Sequence, residues 1–171
     1  MRHQGSGDGS GDTVGGIDYA QLAQERIFKP LGMTASIIPV SSGNLPSDAP
    51  TGYGATVKEA AAWTMNGSAP AGGIRSTPAD MVRYAQALLD GTAPGIEALT
   101  PQWDAGKQRI GLAWFTEEAA GKALTWHNGG TGGFASVIYL DRTNDRAIVI
   151  LSNTAASVTQ AGETLITGAG E

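Results

Sequence analysis

The sequence contains no cysteine and only two histidines, His3 and His127, in 171 residues. Neither a disulfide framework nor a thiolate metal site can be built from it, and a histidine-rich metal site is excluded as well. Charge is sparse too. Only 16% of residues are charged, 11 basic against 16 acidic, for a net charge of −5. Phosphate backbones need a basic surface, so nucleic acid is excluded as a partner. No apolar run approaches the roughly 20 residues that span a bilayer. The N-terminus lacks the charged-then-apolar pattern of a secretory leader, which leaves localisation open. Nothing in the composition calls for a cofactor.

Glycine, by contrast, is abundant, with 25 residues clustering near positions 5–16, 67–73 and 129–133. Residues 1–16 have the composition of a flexible Gly/Ser/Asp linker, and residues 17–171 form one domain with a hydrophobic core. Asp8, Ser10 and Asp12 alternate like the start of a calcium loop. The pattern then breaks, because Thr13 stands where glycine is required and no glutamate closes the loop.

The order of elements points to an α+β fold. Asp18 caps a helix, with Gln21 completing a capping box and Tyr19, Leu22, Ala23 and Ile27 on one face. Residues 34–57 are an irregular excursion with a short strand near Ile37 to Val40. Thr77 caps a second helix, Pro78 opens it and Gly91 stops it, with Met81, Tyr84, Ala85, Leu88 and Leu89 as the buried stripe. Alternation predicts strands over 109–115, 124–126 and 134–140. An apolar strand, Ala147 to Leu151, should be buried on both faces. Residues 155–167 suit a closing helix carrying Val158, Ala161, Leu165 and Ile166. Short turns between the strands imply an antiparallel C-terminal meander with helices on one face.

The stretch Thr125-Trp126-His127-Asn128-Gly129-Gly130-Thr131-Gly132-Gly133-Phe134 has two readings. One is a hairpin with a glycine-rich loop. The other is a strand edge kept uncovered for a ligand, with His127 where the apolar alternation ends. Tyr53 and Trp63 are either core residues or pocket lining.

Four stretches, in order, resemble the serine β-lactamase and penicillin-binding-protein-like hydrolases, closest to the class C β-lactamase and esterase branch. They are Arg26 to Met33, Ala71 to Met81, His127 to Phe134 and Ile148 to Asn153. In that family a serine in a Ser-x-x-Lys pattern forms an acyl-enzyme, a Tyr-x-Asn motif assists proton transfer, and a Lys-Thr-Gly or His-x-Gly strand edges the pocket. His127-Asn128-Gly129 matches the last of these. The resemblance implies that His127 and the Gly130 N–H are catalytic, the latter as an oxyanion donor. It also implies that Asn128, Gly129 and Thr131 bind substrate, a β-lactam, D-alanyl peptide or ester.

The departures are equally clear. No serine has lysine three residues on, and no tyrosine has asparagine two residues on. The resemblance therefore covers the C-terminal portion of an incomplete β-lactamase/transpeptidase-like domain with no nucleophile and, alone, no activity. The alternative is a non-catalytic binding module, or a truncated product, that keeps the pocket wall. A triad of Ser76, Ser136 or Ser152 with His127 and Asp80 lacks the Gly-x-Ser-x-Gly elbow. In the family the last strand pairs with an N-terminal one. The resemblance thus predicts that strand 147–151 is an apolar edge that takes a partner segment or a second copy.

Overall fold

The computed structural model describes residues 13–14, 17–65 and 67–168. The linker expected over 1–16, with its Asp8-Ser10-Asp12 alternation, lies outside the described residues except for Thr13–Val14. That pair forms strand β1, antiparallel to β2 (Ile17–Asp18).

Asp18 caps α1 (Tyr19–Ala23), its carboxylate accepting from the Gln21 N–H at 2.8 Å. The Gln21 side chain does not return to the cap but donates to Glu25 at 2.9 Å, so only one arm of the expected box forms. The helix then widens into a π-helical segment, Gln24–Phe28, whose register is set by the Lys29 N–H reaching the Gln24 carbonyl at 2.9 Å. The wider turn rotates the buried stripe. Ala23 and Phe28 are buried, while Ile27, expected inside, sits at the margin of their cluster.

The excursion that follows holds a small hairpin of β3 (Gly52–Tyr53) and β4 (Glu59–Ala60). The strand expected at Ile37 to Val40 is a single bridge between Ile37 and Arg75. Helix α2 (Pro78–Leu89) starts as the sequence indicates, with Thr77 Oγ1 accepting from the Asp80 N–H at 3.3 Å. Its Ala85 and Leu88 are buried, with Met81, Tyr84 and Leu89 packed at the margin.

Asp80 is buried in this helix, at 1% exposure. Its carboxylate accepts from the Ala35 N–H and the Ser36 hydroxyl, each at 2.8 Å, and from Arg83 at 3.1 Å. Ser36 in turn contacts Ser76 at 2.8 Å. The cluster bonds the turn after Met33 to the start of α2, which fixes where the excursion begins and ends.

The main sheet has six antiparallel strands in the spatial order β10-β9-β8-β7-β6-β5. They are β5 (Trp103–Ala105), β6 (Gln108–Ile110), β7 (Phe115–Ala119), β8 (Lys122–Thr131), β9 (Phe134–Asp141) and β10 (Arg146–Ser152). The strand expected over 109–115 is broken into β6 and β7. The break comes where the Gly111 N–H bonds to the Trp114 carbonyl at 2.8 Å, the Leu112 N–H bonds to Ala98 at 2.9 Å, and Ala113 takes a φ of 65°. Trp114 is buried there, while Leu112 is 53% exposed.

Helices cover both faces of the sheet, not one. On one face α2 packs Ala85 and Leu88 against Ile138, Leu140, Ala147 and Val149. On the other, α3 (Thr159–Thr167) packs Ile166 against Leu124, Val137 and Tyr139. Residues of opposite parity on β9 and β10 serve the two cores, as strand geometry requires. Within α3 the buried residues are Gly162 and Ile166, and Leu165 is 54% exposed, against the expected stripe.

Strand β10 is also not buried on both faces. None of its residues is fully buried, and Leu151 is 39% exposed. It is one of the sheet's two edge strands, β5 being the other, and beside it a groove of ≈ 270 Å³ opens between Val82 and Leu89 of α2 and Val149 and Leu151.

Replacing Asp80 with alanine leaves the Ala35 and Ser36 donors without their acceptor inside the fold. The expected loss is about 3 kcal/mol of unfolding free energy, measured in urea. Arg83→Ala, at a half-exposed guanidinium, is expected to cost under about 1 kcal/mol.

Candidate strand-edge site

Strand β8 changes character along its length. From Lys122 to Trp126 it pairs with β7, the pairing ending at Phe115↔Trp126, and β9 joins on the other side from Thr125. From His127 to Thr131 only β9 pairs with it. Among the described residues no other backbone segment hydrogen-bonds to that stretch. Alternate residues there turn both their N–H and their C=O away from β9. Gly129 and Gly130 thus lie inside the strand and not in a loop. The turn itself is Gly132-Gly133, between the paired residues Thr131 and Phe134.

Alternation along β8 puts His127, Gly129 and Thr131 on the α2 side and Asn128 and Gly130 on the α3 side. Asn128 Nδ2 donates to Thr159 Oγ1 at 3.0 Å, bonding β8 to the first residue of α3. His127 lies nearly parallel to the Phe115 ring, with centroids 6.2 Å apart and planes 6° apart. Phe115 also meets Trp126 at 5.1 Å, and Trp126 stacks on Tyr139 at 5.4 Å. This aromatic column fixes the strand just before it becomes an edge.

Partial burial lowers the pKa of His127 below the ordinary histidine value. Its imidazole is therefore neutral at neutral pH, able to accept a proton through one nitrogen and donate through the other. Tyr139 is no proton-transfer group. Burial, with Glu117 and Glu163 adding to it, pushes its phenol up to about 12.

The proposed triad is not assembled. The Asp80 carboxylate is occupied by Ala35, Ser36 and Arg83, and Ser152 contacts Thr154. Among the described residues no hydrogen bond joins His127 to a serine or an aspartate, nor do three of His, Cys, Asp and Glu gather as metal ligands would. Ser136 is nevertheless close to the edge. A Cβ built on Gly129 would stand 2.9 Å from its Oγ.

The far end of the site is a wall that sequence reasoning left undecided. The Tyr53 N–H donates to the carbonyls of Gly133 at 3.1 Å and Asn153 at 2.9 Å. A Cβ at Gly132 would lie 2.5 Å from Trp63 Cδ1 and Nε1, and one at Gly133 would lie 2.6 Å from the Gly52 carbonyl carbon. Gly133 also has a φ of +81°. Tyr53 is half-buried, whereas Trp63 is 54% exposed. No periodicity marks Trp63, because it lies in irregular chain.

Three comparisons bear on this arrangement. The family model described as Beta-lactamase matches residues 12–169. An unguisins hydrolase of Aspergillus campestris is 28% identical over 91% of this chain and 33% of its own length. Among solved structures, a class C beta-lactamase superposes with a TM-score of 0.75 at 21% identity, over 91% of this chain and 53% of its own. An octameric penicillin-binding protein homologue from Pyrococcus abyssi does so with 0.76 at 16% identity, over 91% and 38%. The chain thus spans a third to about half of the length of these relatives.

Gly133→Ala is expected to lower stability by about 1–3 kcal/mol, because the side chain meets both the left-handed φ and the Gly52 backbone. Thermal unfolding reads this. NMR titration of the His127 ring is expected to give a pKa below the ordinary value of about 6.5. The unfolded chain then binds the proton more readily than the folded one. His127 therefore withdraws stability as pH falls from about 6.5 toward its folded value, and His127→Gln removes that contribution.

Proposed function

The chain belongs to the beta-lactamase family, and from that premise we propose that it forms the strand-edge wall of an acyl-transfer site in a serine hydrolase. The observation that carries the reading is the unpaired edge of β8 from His127 to Thr131, at the family's third motif. Preset backbone N–H groups on such an edge stabilise an oxyanion without reorganising, and glycine keeps side chains out of the way. In this reading the Gly130 N–H is one oxyanion donor. His127, neutral at rest, meets the substrate carboxylate or relays its proton. Gly129 and Thr131 line the bound acyl chain, and Asn128 borders it through its backbone, its carboxamide being held by Thr159.

The nucleophile is not assigned to this chain. No serine here carries the Ser-x-x-Lys spacing, so the acyl-enzyme step is proposed to need residues beyond those present. The substrate class is an acyl compound: a β-lactam, a D-alanyl peptide or an ester. The partner is proposed to meet the edge of β10, either as a further segment of polypeptide or as a second copy. Ala147 to Leu151 offer an uninterrupted apolar edge with neither proline nor charge to blunt it. The second reading, a binding module without turnover, is favoured by the same open edge without a serine–base pair.

Intact mass after incubation with a penicillin, and separately with a fluorophosphonate, tests the first reading. A folded sample is expected to gain no adduct, and a stoichiometric adduct on any serine overturns the assignment. Sedimentation tests the edge. Self-association is expected to grow with concentration and to be suppressed by Val149→Lys, at the centre of β10.

A further inference from the structure

The wall at the end of β8 has a chemistry of its own. Trp63 is a large ring left 54% exposed, yet it is not loosely held. One edge of the ring lies against Gly132, where a Cβ would come within 2.5 Å. The Trp63 carbonyl accepts from Arg75 Nη2 at 3.1 Å, and the same guanidinium sits 5.4 Å from the Phe134 ring centroid. The hairpin that carries the open edge therefore also positions the indole.

Two further groups lie beside the same turn. A Cβ at Gly72 would lie 3.5 Å from both Met65 Cε and Thr131 Cγ2. The Met65 and Thr131 methyls thus border one spot beside the turn. Thr131 has the parity of His127 and Gly129, so this spot is on the His127 side of the sheet. An extended ligand along the edge from His127 to Thr131 runs about 13 Å at the rise of a strand. With a carboxylate at the His127 end and a carbonyl at Gly130, its remaining acyl substituent emerges at Thr131 and Gly132.

We propose that Trp63, with Met65 and Thr131, is a specificity shelf that selects acyl groups bearing a flat aromatic side chain. The inference rests on the reading of His127 to Thr131 as the acyl-binding edge. A fixed indole face stacks on a planar ring, and a thioether beside it adds a favourable sulfur–aromatic contact. Because the ring is held before any ligand arrives, little side-chain freedom is lost on binding.

The test compares N-phenylacetylglycine with N-acetylglycine, followed by NMR on the Trp63 indole N–H and the His127 and Gly130 amides. The wild-type chain is expected to bind the phenylacetyl compound about tenfold more tightly, with a ring-current shift at Trp63. Trp63→Ala reduces the preference to under about threefold, chiefly by weakening the phenylacetyl compound, while Trp63→Phe restores most of it. Equal affinity for the two ligands at the Gly130 edge, or an unchanged preference in Trp63→Ala, overturns the shelf and leaves the edge reading standing. Absence of any shift at His127 and Gly130 with either ligand overturns both.

Discussion

The fold depends on one close approach, the passage of the Gly132-Gly133 turn beneath the segment from Gly52 to Trp63. Here chain packs on chain with no room for a side chain between, since a Cβ at either glycine would stand 2.5–2.6 Å from its neighbour. That contact joins the long irregular excursion to the sheet. It also ends β8 at Thr131. It adds a second anchor to an excursion otherwise held by the Asp80 cluster and the Ile37–Arg75 bridge.

What was legible in the sequence was whatever local chemistry alone decides. Asp18 and Thr77 mark their helix starts because a short acceptor next to orphan N–H groups acts over three residues. The β9–β10 hairpin follows from alternation and the polar turn Asp141 to Asp145. What was not legible came from contacts distant in sequence. The π-helical widening at Gln24–Phe28 moves Phe28 inside, and no spacing rule announces it. The split of the strand at Gly111 to Trp114 depends on Ala98. The division of the meander between two helices depends on α3 lying opposite α2, which parity permits without specifying.

The candidate site divides along the same line. His127 and the glycines stood out because a histidine ending an apolar alternation before four glycines is unusual. Their meaning as a strand edge depends on β7 stopping at Phe115, a tertiary fact. Asn128 stood out equally and turns its carboxamide toward Thr159, because strand parity sends alternate side chains to opposite layers. Trp63 was left between core and pocket lining, since irregular chain carries no period from which exposure could be read.

The aromatic column of Phe115, Trp126 and Tyr139 sits at the boundary between the two halves of β8. Just before it, at Thr125 and Trp126, the strand is paired on both sides. Beyond it, the strand is tied on one side alone, and its outward groups meet water continuously. One unbroken stretch of ten residues thus passes from pairing on both sides to pairing on one, divided within a single peptide unit. The column works as a clamp on a reed: it marks where the strand is gripped on both sides and beyond which one side lies uncovered.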